Sequence, residues 1–250
     1  MNLRYTYPPQ IILGLLRDLI LLRGRSFHED SSAVISKLGS PLQIRGEENI
    51  PPRGPYVLTL NHYTRTGFQI WWAALAISSV IPSPIHWIIT GEWTAPGKWY
   101  EPLKSSFSRF AAKRIVEVYN FTRMPPMPPR PQDVVARAAS VRSLLTFVGH
   151  NGSNVIIGLA PEGRDQPNGR LIKPSPGVGR FCLLLAGQHL GFLPVGFYES
   201  KDELNINFGK PFKLNVRSGL PLKVRDAAAA DIIMTNIAAL LPAEFRGEYN

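Results

Sequence analysis

The chain has 250 residues, 44% of them hydrophobic, enough to fill one sizeable core and to exclude global disorder. Twenty-eight Lys and Arg against 18 Asp and Glu leave a net charge of +10, an attraction for phosphates on lipids, nucleotides or nucleic acid. A single cysteine, Cys182, excludes an intramolecular disulfide framework and sits in apolar surroundings that suit a packed thiol.

No run reaches the roughly 18–20 apolar residues of a spanning helix. The apolar stretches 11–16 and 19–22 are broken by Arg17 and Asp18 and flanked by Arg23 and Arg25. A helix over 9–22 with this pattern lies in a membrane interface or docks on its own domain. It lacks a small-residue cleavage site, which argues against a secretory signal. A polar connection then runs through His28, Glu29, Asp30, Ser31 and Ser32, with His28 in solvent. Residues 1–41 thus read as an N-terminal helical, membrane-proximal appendage, and 42–250 as one domain.

From Leu42 onward, short β-prone runs alternate with helical patterns, which predicts an α/β layer structure. Strands are expected over 42–45, 56–60, 85–90, 154–159, 192–198 and 204–208. Helices are expected over 68–81, 100–112, 133–149, 177–190 and 224–241, the third with Val134, Ala138, Val141, Leu145 and Val148 on one face. The expected fold is a mixed central sheet with helices on both faces. Residues 124–131, Met-Pro-Pro-Met-Pro-Pro-Arg-Pro, read as an extended surface linker, with a ligand for a partner's aromatic groove as the alternative.

Two strands end in chemistry. Tyr56-Val57-Leu58-Thr59-Leu60 stops at Asn61-His62, placing an imidazole just past a strand end, where open α/β sheets hold ligands and catalysts. His62 is a candidate base, with simple packing as the alternative. The run 154–160 delivers Pro161-Glu162-Gly163-Arg164 in the same way, with an ordinary surface turn as the alternative. Glycine there permits close backbone approach and arginine offers a planar fork for phosphate or carboxylate. Lys173 and the Gly177 opening of the next helix would add charge and backbone donors to the same anion. His86, His150 and His189 read as a packed strand residue and two helix-end residues. The scattered histidines offer no metal-ligand spacing.

In order along the chain come Gly46-Glu47-Glu48-Asn49-Ile50-Pro51, Gly54-Pro55, Asn61-His62, Pro161-Glu162-Gly163, Lys173, Gly177, Leu193-Pro194-Val195 and Phe208-Gly209-Lys210-Pro211. This succession resembles the glycerolipid acyltransferases related to 1-acylglycerol-3-phosphate acyltransferase. The resemblance implies transfer of a fatty acyl group from acyl-CoA or acyl carrier protein, as co-substrate and without a cofactor, to the hydroxyl of a lipid acceptor. It assigns His62 as general base, a role worth about 10² to 10⁴ in rate. It places Asn61, Glu162, Gly163 and Arg164 at the acceptor site, with Lys173 beside them and Arg123 where the family often contacts the acceptor phosphate. It also implies a peripheral or monotopic place on the cytoplasmic face of a membrane. Nucleic acid is not an expected partner, since no basic-aromatic recognition pattern accompanies the charge.

Two departures stand out. The family's motif is His, four residues, Asp, whereas Gly67 is the fifth residue after His62. Such an Asp fixes the imidazole tautomer, and losing its counterpart in a hydrolase triad costs about 10⁴. The same loop carries Arg65, a cation that opposes protonation of His62 or binds substrate phosphate. Glu162-Gly163-Arg164-Asp165 stands where the family carries Glu-Gly-Thr-Arg. Either another acceptor, such as Glu162, Asp165 or a carbonyl, orients His62, or the fold persists as a lipid-binding or regulatory protein without chemistry.

Overall fold

The computed structural model describes residues 5–39, 41–92, 101–165, 168–200 and 203–250, with 101–105 as backbone only. Helix α1 spans Pro9–Leu21, opening on a proline whose missing N–H costs nothing in the first turn. Helix α2 spans Phe27–Ile35 and corrects the expectation of a polar connection. Ser26 accepts the Glu29 N–H at 3.2 Å, and Glu29 and Asp30 face the positive end of the helix dipole. Ser-x-x-Glu is a helix-start signature that the polarity of the stretch conceals. His28 is not solvated as expected, because its Nδ1 lies 2.7 Å from the Ser78 carbonyl.

The remaining elements are β1 (Leu42–Arg45), β2 (Tyr56–Leu60), α3 (Trp71–Val80), β3 (His86–Thr90), α4 (Glu101–Tyr119), β4 (Thr122–Met124), α5 (Val134–Asn151), β5 (Ile156–Leu159), α6 (Val178–Ala186), β6 (Gly191–Ser200), β7 (Glu203–Phe208) and α7 (Leu222–Ala238). Helix α4 runs past its expected end at 112, and its expected first residue lies outside the described residues. Strand β4 went unread, since three residues against β3 give too short a pattern to register.

Among the described residues the strands form one seven-stranded sheet in the order β1-β7-β6-β2-β5-β3-β4. Neighbours pair parallel except β6 and β7, so the sheet is mixed. All five residues of β2 are buried although successive side chains point to opposite faces, so both faces of the sheet are covered. Cys182 is fully buried, and burial pushes its thiol up to about 12.

The N-terminal helices are tied to this body by a polar clamp. Arg25 donates to Asp18 of α1 at 2.6 Å and to Asp30 of α2, and Tyr119 of α4 donates to Asp30 at 2.7 Å. Val34 of α2 is buried in the common core.

At the centre of the sheet Gly158 lies under the Trp87 ring, and an added Cβ would stand 2.3 Å from that indole. Gly158→Ala should therefore destabilise by about 1–3 kcal/mol through overpacking. A thermal melt should show a midpoint lower by about 2–4 °C per kcal/mol.

Candidate functional site

Strands β2 and β5 pair parallel with Thr59 opposite Leu159, and three more residues in this register set His62 beside Glu162. There one oxygen of the Glu162 carboxylate accepts the His62 backbone N–H at 2.5 Å. The other accepts the Ile172 N–H at 3.1 Å. Glu162 is 1% exposed, and burial pushes its carboxyl up to about 7 despite the opposing pull of these two donors and of Arg164. On the opposite flank, Asn61 continues the β2–β6 ladder with its side chain. Its amide donates to the Phe197 carbonyl at 2.8 Å, and its oxygen accepts the Phe197 N–H at 2.7 Å. Both residues were expected at the acceptor site. Their polar groups hydrogen-bond the backbone of the corner.

The loop that follows is held by a second carboxylate. Arg65 donates to Glu199 through Nε at 2.5 Å and Nη2 at 2.7 Å, and Tyr63 donates to the same carboxylate at 3.2 Å. Tyr5, ahead of α1, also donates to Glu199, and packs edge-on against Phe68 with ring centroids 4.8 Å apart. Arg65, which the sequence suggested as a cation near the base or a phosphate contact, is thus engaged in an ion pair with Glu199. Glu199 escaped the sequence reading. Its only signal is that it is the sole charged residue of an otherwise apolar strand. Gly67 lies at the exposed turn of this loop with φ 81°, and an added Cβ would meet the Arg65 guanidinium at 3.7 Å.

The His62 ring lines a groove of about 1470 Å³. Its Nδ1 is sealed from solvent without a hydrogen-bond partner, and the Asp165 Oδ1 stands 3.6 Å away. Burial lowers the imidazole's basicity and the Asp165 charge partly restores it, so the ring is held neutral. Leu60, Ile70, Trp71, Ala74, Trp87 and Phe121 form apolar wall around it. The opposite character comes from Arg130, Arg137, Arg142, Arg180 and Arg225, which also line the groove. These arginines escaped the sequence reading because they are scattered over three helices and a loop, with no local spacing to unite them.

The remaining expected residues divide. Gly163 (φ 63°) and Arg164 line the groove, and the space beside Gly163 is taken by Met127, whose Cγ lies 2.8 Å from an added Cβ. Met127 belongs to the proline-rich segment 124–131. That segment was expected to be a plain linker but supplies Met124, Pro125, Pro126 and Pro129 to the groove wall. Arg123 lies on β4 with its aliphatic stem against Gly91, outside the groove lining. Lys173 is exposed and also outside that lining. The N-terminus of α6 does not offer its donors to an anion as expected. Asp226 of α7 already accepts from the Gly177 N–H at 2.6 Å and the Arg180 N–H at 2.7 Å.

Comparison with known proteins adds three findings. A family model described as Acyltransferase matches residues 41–197. No curated protein matches the chain. Among solved structures, the crystal structure of the 1-acyl-sn-glycerophosphate (LPA) acyltransferase PlsC from Thermotoga maritima superposes with a TM-score of 0.54 at 14% identity. The likeness covers 91% of this chain and 87% of that one, and it establishes a common fold.

The buried Glu162 makes a prediction about stability. A carboxyl raised from 4.5 to about 7 on folding contributes stability that is fully present below about 4.5 and is lost as pH rises through about 7. The loss should approach about 3 kcal/mol. Denaturant unfolding between pH 4.5 and 8 should show it, and Glu162→Gln should flatten that slope.

Proposed function

The chain belongs to the acyltransferase family, and on that premise we propose that it transfers a fatty acyl group from a thioester to a lipid hydroxyl. The donor is acyl-CoA or acyl carrier protein, and the acceptor is a lysophospholipid or related lipid. The observation that carries this reading is a neutral, partly sealed imidazole on the wall of a large groove whose lining combines many apolar side chains with several arginines. Such a groove suits a molecule with an alkyl chain and a phosphate, like the 1-acyl-sn-glycerophosphate named for the Thermotoga maritima enzyme.

In the reaction, His62 takes the proton of the acceptor hydroxyl as its oxygen attacks the thioester carbonyl carbon. The tetrahedral intermediate collapses with cleavage of the carbon–sulfur bond, and the proton passes from the imidazolium to the departing thiolate. An ester and a free thiol result. Arg164, which lines the same groove as His62, fits a contact to the acceptor's phosphate, as do the helix arginines of that lining.

Gly67 in the motif position favours a second reading, lipid binding or regulation without turnover. Radiolabelled acyl transfer separates the two. Purified protein should move label from a thioester to lysophospholipid, and His62→Ala should lower the rate by about 10² to 10⁴. Equal rates in both proteins would remove His62 from the chemistry, and lipid binding without transfer across a panel of donors and acceptors would favour the second reading.

The same proposal includes a membrane surface, at the cytoplasmic face. Among the described residues no helix is long and apolar enough to cross a membrane. Helix α1 nonetheless exposes Leu13, Leu16, Ile20 and Leu21, and α4, which packs beside it, exposes Phe107 and Phe110. An apolar stripe with Arg17 within the helix and Arg23 just past its C-terminal end fits an interfacial helix. Each leucine or isoleucine immersed contributes about 1.5–3 kcal/mol. Leu16→Glu with Ile20→Glu should therefore weaken flotation with anionic liposomes at least tenfold, while wild-type flotation at that level in the double variant would count against membrane docking.

A further inference from the structure

We infer that Asp165 is the positioning residue for the His62 imidazole, taking from a neighbouring strand's loop the part that the family pattern gives to an aspartate at position 67. The inference deepens the acyl-transfer reading and depends on it for its catalytic meaning. Four observations carry it.

The first is the vacancy at Nδ1. This nitrogen is sealed from solvent and makes no hydrogen bond, and Asp165 Oδ1 lies 3.6 Å from it. That gap exceeds a hydrogen bond, but the Asp165 side chain is 71% exposed and free to rotate across it. Catalytic hydrogen bonds are often long before substrate binds and tighten in the complex.

The second is that Glu162 is already committed. Its two oxygens accept the backbone N–H groups of His62 and Ile172, and neither pairs with Nδ1.

The third concerns Gly67. It sits at an exposed turn with φ 81°, and the foreign atom nearest an added Cβ is the Arg65 guanidinium. A carboxylate there would meet Arg65, which is itself fixed on Glu199.

The fourth is topology. Strands β2 and β5 are parallel neighbours, so their C-terminal ends emerge side by side. The Glu162 strap fixes the His62 backbone to the same turn that presents Asp165 three residues later.

With Asp165 accepting from Nδ1–H, the lone pair is confined to Nε2, the ring nitrogen left to face the groove. The acceptor's proton arrives at Nε2, and the Asp165 carboxylate offsets the imidazolium charge until the thiolate takes that proton. The charged groups around the ring are Asp165, Glu162 behind the His62 backbone, and Arg164 beside Glu162. Arg65 is turned away to Glu199.

The test compares wild type with Asp165→Asn, Asp165→Ala and Asp165→Glu in the full chain. For Asn and Ala, kcat should fall about 10- to 100-fold, with KM within about twofold. The acid limb of the pH profile should move to lower pH, because removing an anion destabilises the imidazolium. Glu should regain part of the loss. Unchanged kcat and an unchanged acid limb in both Asn and Ala overturn the inference. A second readout needs no turnover: nitrogen-15 NMR of labelled histidine reports the tautomer. The Nδ1–H form should dominate in wild type and give way to Nε2–H in Asp165→Asn. Identical tautomers in the two folded proteins overturn the pairing. A wild type that transfers no acyl group, yet shows the tautomer change, leaves Asp165 as the partner of His62 and removes the acyl-transfer reading instead.

Discussion

The corner at His62 depends on one buried carboxylate. Two parallel strand ends leave backbone N–H groups that no further ladder can satisfy, and such donors are costly when buried without a partner. Glu162 meets this demand for the end of β2 by taking the N–H of His62, and it also takes the N–H of Ile172 in the segment that leads to α6. Burying a carboxylate is unfavourable in itself, and its raised pKa shows how little of that cost is offset. What it secures is geometry: a histidine backbone fixed to the loop that lines the groove beside it. Asn61 does the same for the β6 side with an uncharged amide. The imidazole is therefore positioned by its backbone, and its ring remains available.

Much of this architecture was legible in the chain. Every buried strand of four residues or more announced itself by a run of β-prone apolar residues, and Asn61-His62 and Glu162-Gly163 were legible because polar residues end such runs abruptly. What was not legible shares a physical cause. Strand β4 is too short to show a period. Helix α2 is polar on one side and capped by a serine, so its helical start resembled a loop. Glu199, Arg137 and Arg225 act across distances in sequence that no local pattern encodes. The roles assigned to Asn61 and Arg65 rested on their closeness to His62 in the chain and on the family resemblance. Their actual partners, Phe197 and Glu199, come from one strand far along the chain.

The departure at Gly67 also looks different in three dimensions. In a linear motif, an aspartate five residues after the histidine is a single unit, and its absence is a loss. In a parallel sheet, the loop after one strand lies beside the loop after the next. The Asp165 carboxylate, on the loop after β5, stands 3.6 Å from the ring nitrogen of a histidine on the loop after β2. That loop is free to use its residues otherwise, and here it spends Arg65 on an ion pair and needs the positive φ of Gly67 to turn back toward Phe68.

The Tyr5 contact carries a practical consequence. The residues before α1 read as dispensable, the kind of tail removed when a lipid-facing helix makes a protein difficult to handle. Yet Tyr5 shares the Glu199 carboxylate with Arg65 and Tyr63, and its ring covers Phe68 and Trp72. A truncated form without these residues would keep the whole sheet and the histidine, but it would lack one support of the loop that carries them. Its inactivity would say as much about a missing tyrosine as about a missing membrane.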